Sequence, residues 1–259
     1  MENISLVGLS RQVALQRELD VIANNLANLN TTGFKGDEVV FQEFISPTAR
    51  DDTFQRGADR RMSFVWDRAT ATNLGQGPME STGNSLDVGL GGRGYFVVQT
   101  PDGERYTRNG SFEINAQGQL VTKQGYQVLG DNGPIAFDQS DTGITITRDG
   151  TISVIGNNAT NQPAGQRGRL RVVDGNTPRA MEKAGDNLFT LRGGAQVANL
   201  PPANVDLRQG YIEKSNVTPV LEMSRMIEVT RAYTALASSI ERHDQLRRDA
   251  IRSLGNPTS

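Results

Sequence analysis

Apolar positions in the first thirty residues recur at helical spacing. Leu6, Leu9 and Val13 begin a line that shifts at Leu15 and continues through Leu19, Ile22, Leu26 and Leu29, in alternating steps of three and four. Beside it runs a mostly polar line of the same spacing, Val21, Asn25, Asn28 and Thr32. One helix is predicted over about residues 4–30, ~40 Å long at 1.5 Å per residue. Gly8 weakens its first turns. Asparagines on the edge of an apolar seam are costly unless paired, and such residues can fix register against another helix. Thr31-Thr32-Gly33 ends the pattern, with Gly33 suited to the left-handed position after a helix.

From residue 36 to about 78 the periodicity fails. Val39, Val40, Phe41, Phe44 and Ile45 form one apolar patch. A mixed-charge stretch from Arg50 to Arg68 follows, with Phe64, Val65 and Trp66 inside it. An extended, solvated connector is predicted there. The pattern then changes to short strand-like runs, such as Tyr95-Phe96-Val97-Val98 and Ile144-Thr145-Ile146. They are separated by Asp102-Gly103, Asn109-Gly110, Gln117-Gly118, Gln124-Gly125, Asn132-Gly133, Asp149-Gly150, Asn157-Asn158 and Asp174-Gly175-Asn176. Short strands closed by such pairs are hairpins, and their density predicts an all-β region over residues 81–200 with no helix.

After a last strand around Gly210–Lys214, Thr218 is suited to an N-cap and Pro219 to a first helical turn. A second long helix is predicted from Val220 to about Leu254. One face carries Met226, Val229, Tyr233, Leu236, Ile240, His243, Ala250 and Leu254, and a slim face carries Ala232, Ala235, Ala237, Ser238 and Ser239. The fold class is therefore α+β: an all-β central domain bracketed by long N- and C-terminal α-helices that pair in an assembled coiled-coil layer. The domain reading is a discontinuous helical assembly domain (1–35 with 215–259), a connector (36–80 with 201–214) and an all-β domain (81–200).

Composition narrows the functions. The chain has 259 residues, enough for one large or two modest domains. A formal net charge of -2 gives no bulk attraction to nucleic acid or anionic membrane. No cysteine means no disulfide, thiolate catalysis or cysteine metal site, and the single histidine leaves no multi-histidine site. No stretch approaches the ~18 apolar residues of a membrane helix, and Met1-Glu2-Asn3 lacks the basic start of a signal peptide.

Three regions of the chain carry stretches more specific than their periodicity. Ala23-Asn24-Asn25-Leu26-Ala27-Asn28-Leu29-Asn30-Thr31-Thr32-Gly33-Phe34-Lys35 closely resembles the N-terminal signature of bacterial flagellar basal-body rod and hook proteins. Gly94–Val98, Tyr106-Thr107-Arg108-Asn109-Gly110-Ser111-Phe112 and Gly118–Gly130 look like core β-domain motifs of that family. Gly210-Tyr211-Ile212-Glu213-Lys214-Ser215-Asn216-Val217 with Arg231-Ala232-Tyr233 looks like its C-terminal signature. The opening Met1-Glu2-Asn3 with Gly8-Leu9-Ser10-Arg11-Gln12 is most similar to the proximal rod type. The resemblance implies a non-enzymatic, self-assembling structural subunit of the basal-body rod that transmits motor torque. It also implies export through the flagellar type III apparatus without a cleaved signal peptide, and a place in the periplasmic rod. The implied partners are other copies, neighbouring rod and axial proteins and the export apparatus, with no nucleic acid, membrane insertion, cofactor or metal. The assembly seam is then Leu19, Ile22, Asn25, Leu26, Asn28, Leu29, Met226, Val229, Tyr233, Leu236 and Ile240. The family-signature residues are Asn24, Asn25, Asn28, Thr32, Gly33, Phe34, Ser215, Asn216 and Val217.

Other chemistry has weaker support. Gly89-Leu90-Gly91-Gly92-Arg93-Gly94 matches G-x-G-x-x-G, but a strand-like run follows it where a dinucleotide fingerprint needs a helix. Ser239, His243 and Asp244 share one helix and cannot converge as a triad. Asp131, Asp138, Asp141 and Asp149 lack the spacing of a calcium loop. Two alternatives stay open: a distal rod or hook-type axial protein, and a secreted β-domain enzyme or glycan binder with helical oligomerisation arms.

Overall fold

The computed structural model describes residues 2–50, 61–156, 163–175, 181–194 and 197–255. Within the mixed-charge stretch, Asp51, Asp52, Arg56, Asp59 and Arg60 lie outside the described residues. So do Asn157-Asn158 and Asn176. The chain divides into two compact units, Met1–Ala27 with Asp37–Asn73 and Val217–Ser259, and Asn28–Gly36 with Leu74–Asn216.

The first unit contains helix α1 (Glu2–Ala27), strands β1 (Asp37–Arg50) and β2 (Arg61–Thr72), and helix α2 (Pro219–Gly255). α1 and α2 run antiparallel: Gly8 faces Ile240, whereas Gln12 Nε2 donates to the Tyr233 hydroxyl at 3.0 Å. A Cβ on Gly8 would lie 3.2 Å from Ile240 Cδ1, so a small residue there permits the close approach. α2 has 37 residues against 26 in α1, about 55 Å against 39 Å. Every residue of α2 from Asp244 to Ser253 is exposed.

The inward face of α2 is a regular four-three repeat, Glu222, Met226, Val229, Tyr233, Leu236, Ile240 and His243, each buried or half-buried. Ala250, predicted on that face, is exposed, as are Ala235, Ser238 and Ser239 of the predicted slim face. In α1, Leu6, Leu9 and Val13 are 53%, 55% and 58% exposed, while Gly8, Gln12, Leu15, Leu19, Ile22 and Leu26 form a buried or half-buried line. The stretch predicted as a connector contains an antiparallel hairpin, with β1 paired to β2 from Asp37↔Thr72 to Arg50↔Arg61. Alternation broken by charge hid it, because a two-stranded ribbon need not bury a continuous face.

The second unit is β-rich, and residues 81–200 hold no α-helix among the described residues. Its largest sheet has nine strands. Gly94–Thr100 is central, paired with Gly103–Thr107, Gln127–Gly130 and Val172–Asp174. This strand is an apolar run because both of its faces are covered. Phe96 and Val98 enter one core with Phe112, Leu120, Val128 and Leu207, and Tyr95 and Val97 enter a second with Tyr106, Val173 and Phe189. The predicted turns at Asp102-Gly103, Gln124-Gly125 and Asp149-Gly150 join neighbouring strands. A further tight turn uses Asp186 and Asn187, both at positive φ. Tyr211–Glu213 pairs with Met79–Ser81, and Asp206–Gln209 with Val88–Gly91.

Candidate assembly site

Near the chain ends, the two signature stretches meet inside the β-rich unit. Thr31–Gly36 follows α1 in the chain and Ser215-Asn216 precedes α2. Gly33 N donates to Glu213 O at 2.7 Å, and Asn216 N to Phe34 O at 3.3 Å. The Asn216 side chain bridges two segments of the chain, accepting from Gly36 N at 2.8 Å and donating to Gly75 O at 3.0 Å. Gly33 holds the left-handed φ of 69°, and an added Cβ would lie 2.6 Å from the backbone of Arg108 and Asn109. Only glycine satisfies both conditions. Thr32 O accepts from Asn187 Nδ2 at 3.1 Å, and Phe34 is buried with Lys183 Nζ 4.3 Å from its ring centroid. Ser215 is buried, and Val217 is half-buried.

At the centre lies a buried charge cluster that periodicity did not reveal. Glu213 Oε1 accepts from Lys35 Nζ at 2.5 Å and from Gly77 N at 2.8 Å, and Oε2 from Arg108 Nη1 at 3.2 Å. The Lys35 and Glu213 side chains are 0% exposed and that of Arg108 is 3%. Lys35 also donates to Gly75 O at 2.8 Å and Arg108 Nη2 to Gly92 O at 2.7 Å, while the guanidinium lies 4.9 Å from the Tyr95 ring centroid. Burial pushes the Lys35 pKa down, with Glu213 opposing the shift. Burial likewise pushes the Tyr95 hydroxyl up against the pull of Arg108. Two cations thus share one carboxylate where water cannot screen them, so each depends on the others. The available sequence signal was that three signature stretches each carry one charge of the right sign among small and apolar residues.

Among the proposed seam residues, Ile22 is 4% and Val229 7% exposed. Leu19, Leu26, Asn28, Leu29, Met226, Tyr233, Leu236 and Ile240 are half-buried. Asn25 is committed within its own chain. Its Nδ2 donates to Asp37 O at 2.8 Å and its Oδ1 accepts from Asp37 N at 2.9 Å, which ties α1 to the start of β1. Asn28 Oδ1 accepts from Thr31 Oγ1 at 3.1 Å just after the helix, whose last helical residue is Ala27 rather than Asn30. Asn24 is exposed.

These signatures, and the layout of terminal helices around a β-rich middle, agree with three family matches. Residues 6–35 match the family described as "Flagella basal body rod protein", residues 89–154 the "Flagellar hook protein FlgE/F/G D1 domain", and residues 208–253 the "Flagellar basal body rod FlgEFG protein C-terminal". A "Flagellar basal-body rod protein FlgF" of Caulobacter vibrioides is 39% identical over 98% of this chain and 99% of its own. This chain belongs to the flagellar basal-body rod protein family. A second FlgF, from Mesorhizobium japonicum, is 31% identical over 99% of both chains. A "Flagellar basal-body rod protein FlgG" of Buchnera aphidicola is 35% identical over 94% of this chain and 95% of its own. As a FlgF-like basal-body rod protein it is structural and non-enzymatic.

The remaining sequence candidates have structural explanations in this rod protein. In the glycine-rich segment, strand Val88–Gly91 passes through Gly92-Arg93 into strand Gly94–Thr100, so no helix N-terminus follows the glycines. A Cβ would lie 2.5 Å from Asp206 Oδ2 at Gly91 and 2.5 Å from Val172 Cγ1 at Gly94. The glycines answer packing, and titration with ATP or NAD is expected to leave the melting temperature unchanged. A saturable shift would contradict this. Asp138 and Asp141 clamp Arg167, which holds the Asp141 carboxyl below its usual range. Asp131 pairs with Arg169, and Asp149 accepts from the Thr147 and Thr151 hydroxyls. His243 is half-buried at the end of the α2 seam, and Asp244 pairs with Arg248.

Proposed function

We propose that this chain is a self-assembling structural subunit of the proximal rod. In this reading the terminal helices form an assembly domain (residues 1–35 with 215–259), pair as an antiparallel coiled coil lining the inner tube, and pack laterally against other copies and neighbouring rod proteins. The β-rich domain, residues 81–200, lies outside them and stiffens the rod so that it transmits torque. The connector segments, residues 36–80 and 201–214, join the two. The chain reaches the periplasmic rod through the flagellar type III export apparatus with no cleaved signal peptide.

The observation that carries this reading is apolar surface on helices that have already met. Leu6, Leu9 and Val13 form an exposed stripe on α1, and Val220, Met223 and Ile227 form one at helical spacing on α2. Exposed apolar rows of this kind mark interaction surfaces. A distal position, left open by the sequence, is the second reading. Cryo-electron microscopy of purified basal bodies decides between them. The proposal expects this chain at the membrane-proximal end of the rod with both helices in the inner layer. Density at the distal end would support the second reading, and absence from the rod would overturn both.

A further inference from the structure

The helical unit holds an acidic cavity that α1 and α2 do not fill. It measures about 200 Å³ and is lined by Glu18 of α1, Asp37 and Glu38 of β1, and Glu222 and Arg225 of α2, above Ile22. The lining thus includes four acidic residues and one arginine. Glu222 is only 7% exposed, and its Oε2 is buried with no hydrogen-bond donor. Its Oε1 lies 3.5 Å from Arg225 Nη1, too far for a firm bond. Burial also pushes the Glu18 carboxyl up, with Arg225 opposing and Glu228 reinforcing the shift. A buried acceptor without a donor is a standing cost, and the surrounding charge selects a cation to relieve it. A guanidinium suits it, because its planar fork can serve Glu222 and a neighbouring carboxylate together.

The complementary group lies on the same chain, at the far end of α2. Residues 244–253 are exposed on every side and include Leu246 and Ile251, 69% and 63% exposed. Of the arginines there, Arg248 pairs with Asp244 and Arg252 with Asp249, whereas Arg247 has no ion-pair partner among the described residues. Arg247 and Ile251 are four residues apart and share a face. Leu221, the residue before Glu222 in α2, is an exposed apolar side chain at 51%. We infer that the cavity is a socket for Arg247 from a second copy of this chain, with Ile251 of that copy packing on Leu221. The inference rests on the assembly reading above and adds to it a specific lateral contact between copies.

A charge exchange tests it. Cells carrying Glu222→Arg, Arg247→Glu or both as the sole copy are scored for this chain in purified basal bodies, with the wild type as reference. Each single exchange is expected to lower incorporation roughly tenfold or more, the scale for opposing like charges in a desolvated site, and the double exchange to restore it. Because Glu222→Arg could disturb the helical unit itself, Glu222→Gln and a disulfide trap accompany it. The wild-type chain has no cysteine, so Glu222→Cys with Arg247→Cys should give oxidative dimers of this chain in basal bodies. Normal incorporation of both Arg247→Ala and Glu222→Gln, no rescue by the double exchange, or crosslinks only to a different protein would overturn the socket. Absence of the wild-type chain from basal bodies would instead overturn the assembly reading.

Discussion

Glu213→Ala is expected to destabilise the β-rich unit more than any other single change described here. The carboxylate balances Lys35 and Arg108 and accepts the Gly77 amide, all in a site closed to solvent. Removing one partner of a buried ion pair costs about 3–5 kcal/mol, and leaving a buried N–H unpaired adds about 1–3 kcal/mol. Since a domain's whole stability is about 5–15 kcal/mol, the variant should melt far below the wild type or not fold. Glu213→Gln keeps an acceptor and should lose less. Lys35→Met should also lose less, and its sign follows from the depressed lysine pKa. Stability present with the lysine neutral, above pH 10.5, is lost as the pH falls through the lower folded value. At neutral pH charging the lysine therefore carries a net burial cost that Glu213 only partly offsets. Thermal melts of the three purified variants check the order, and a Glu213→Ala protein melting like the wild type would refute the role given to the cluster.

That cluster marks where reading the sequence stopped. Helix periodicity located α1 and α2, and strands closed by turn residues established the β class of the middle, because both signals are local. The convergence of Lys35 with Glu213 spans 178 residues and has no local signal. The turn at Asp186-Asn187 takes positive φ at two non-glycine residues. The hairpin of β1 and β2 read as a connector because its charges interrupt the alternation that marks a half-buried strand. The exposure of the first apolar positions of α1 has a related cause. Leu6, Leu9 and Val13 have the right spacing, but Gly8 facing Ile240 sets which side of the helix turns inward. Spacing identifies an amphipathic face without saying whether its partner lies in the same chain. Asn25, on the polar edge of the seam, makes one donated and one accepted bond to the backbone of Asp37 in its own chain.

Leu26→Asp is expected to separate folding from assembly. Leu26 is half-buried in α1, on the line of Ile22 and Leu29. If assembly completes its burial, the leucine contributes up to about 1.5–3 kcal/mol, and an unpaired carboxylate in its place costs a similar amount or more. The β-rich unit has its own two cores, built from residues elsewhere in the chain. Its melting should therefore be unchanged while the helices lose their place in the rod. The decisive measurement is the content of this chain in basal bodies purified from cells whose only copy carries Leu26→Asp, with the swimming of those cells scored alongside. The account predicts an expressed protein with a normally melting β-rich unit, basal bodies lacking it, and non-motile cells; motile cells whose basal bodies contain the variant at the wild-type level would contradict it.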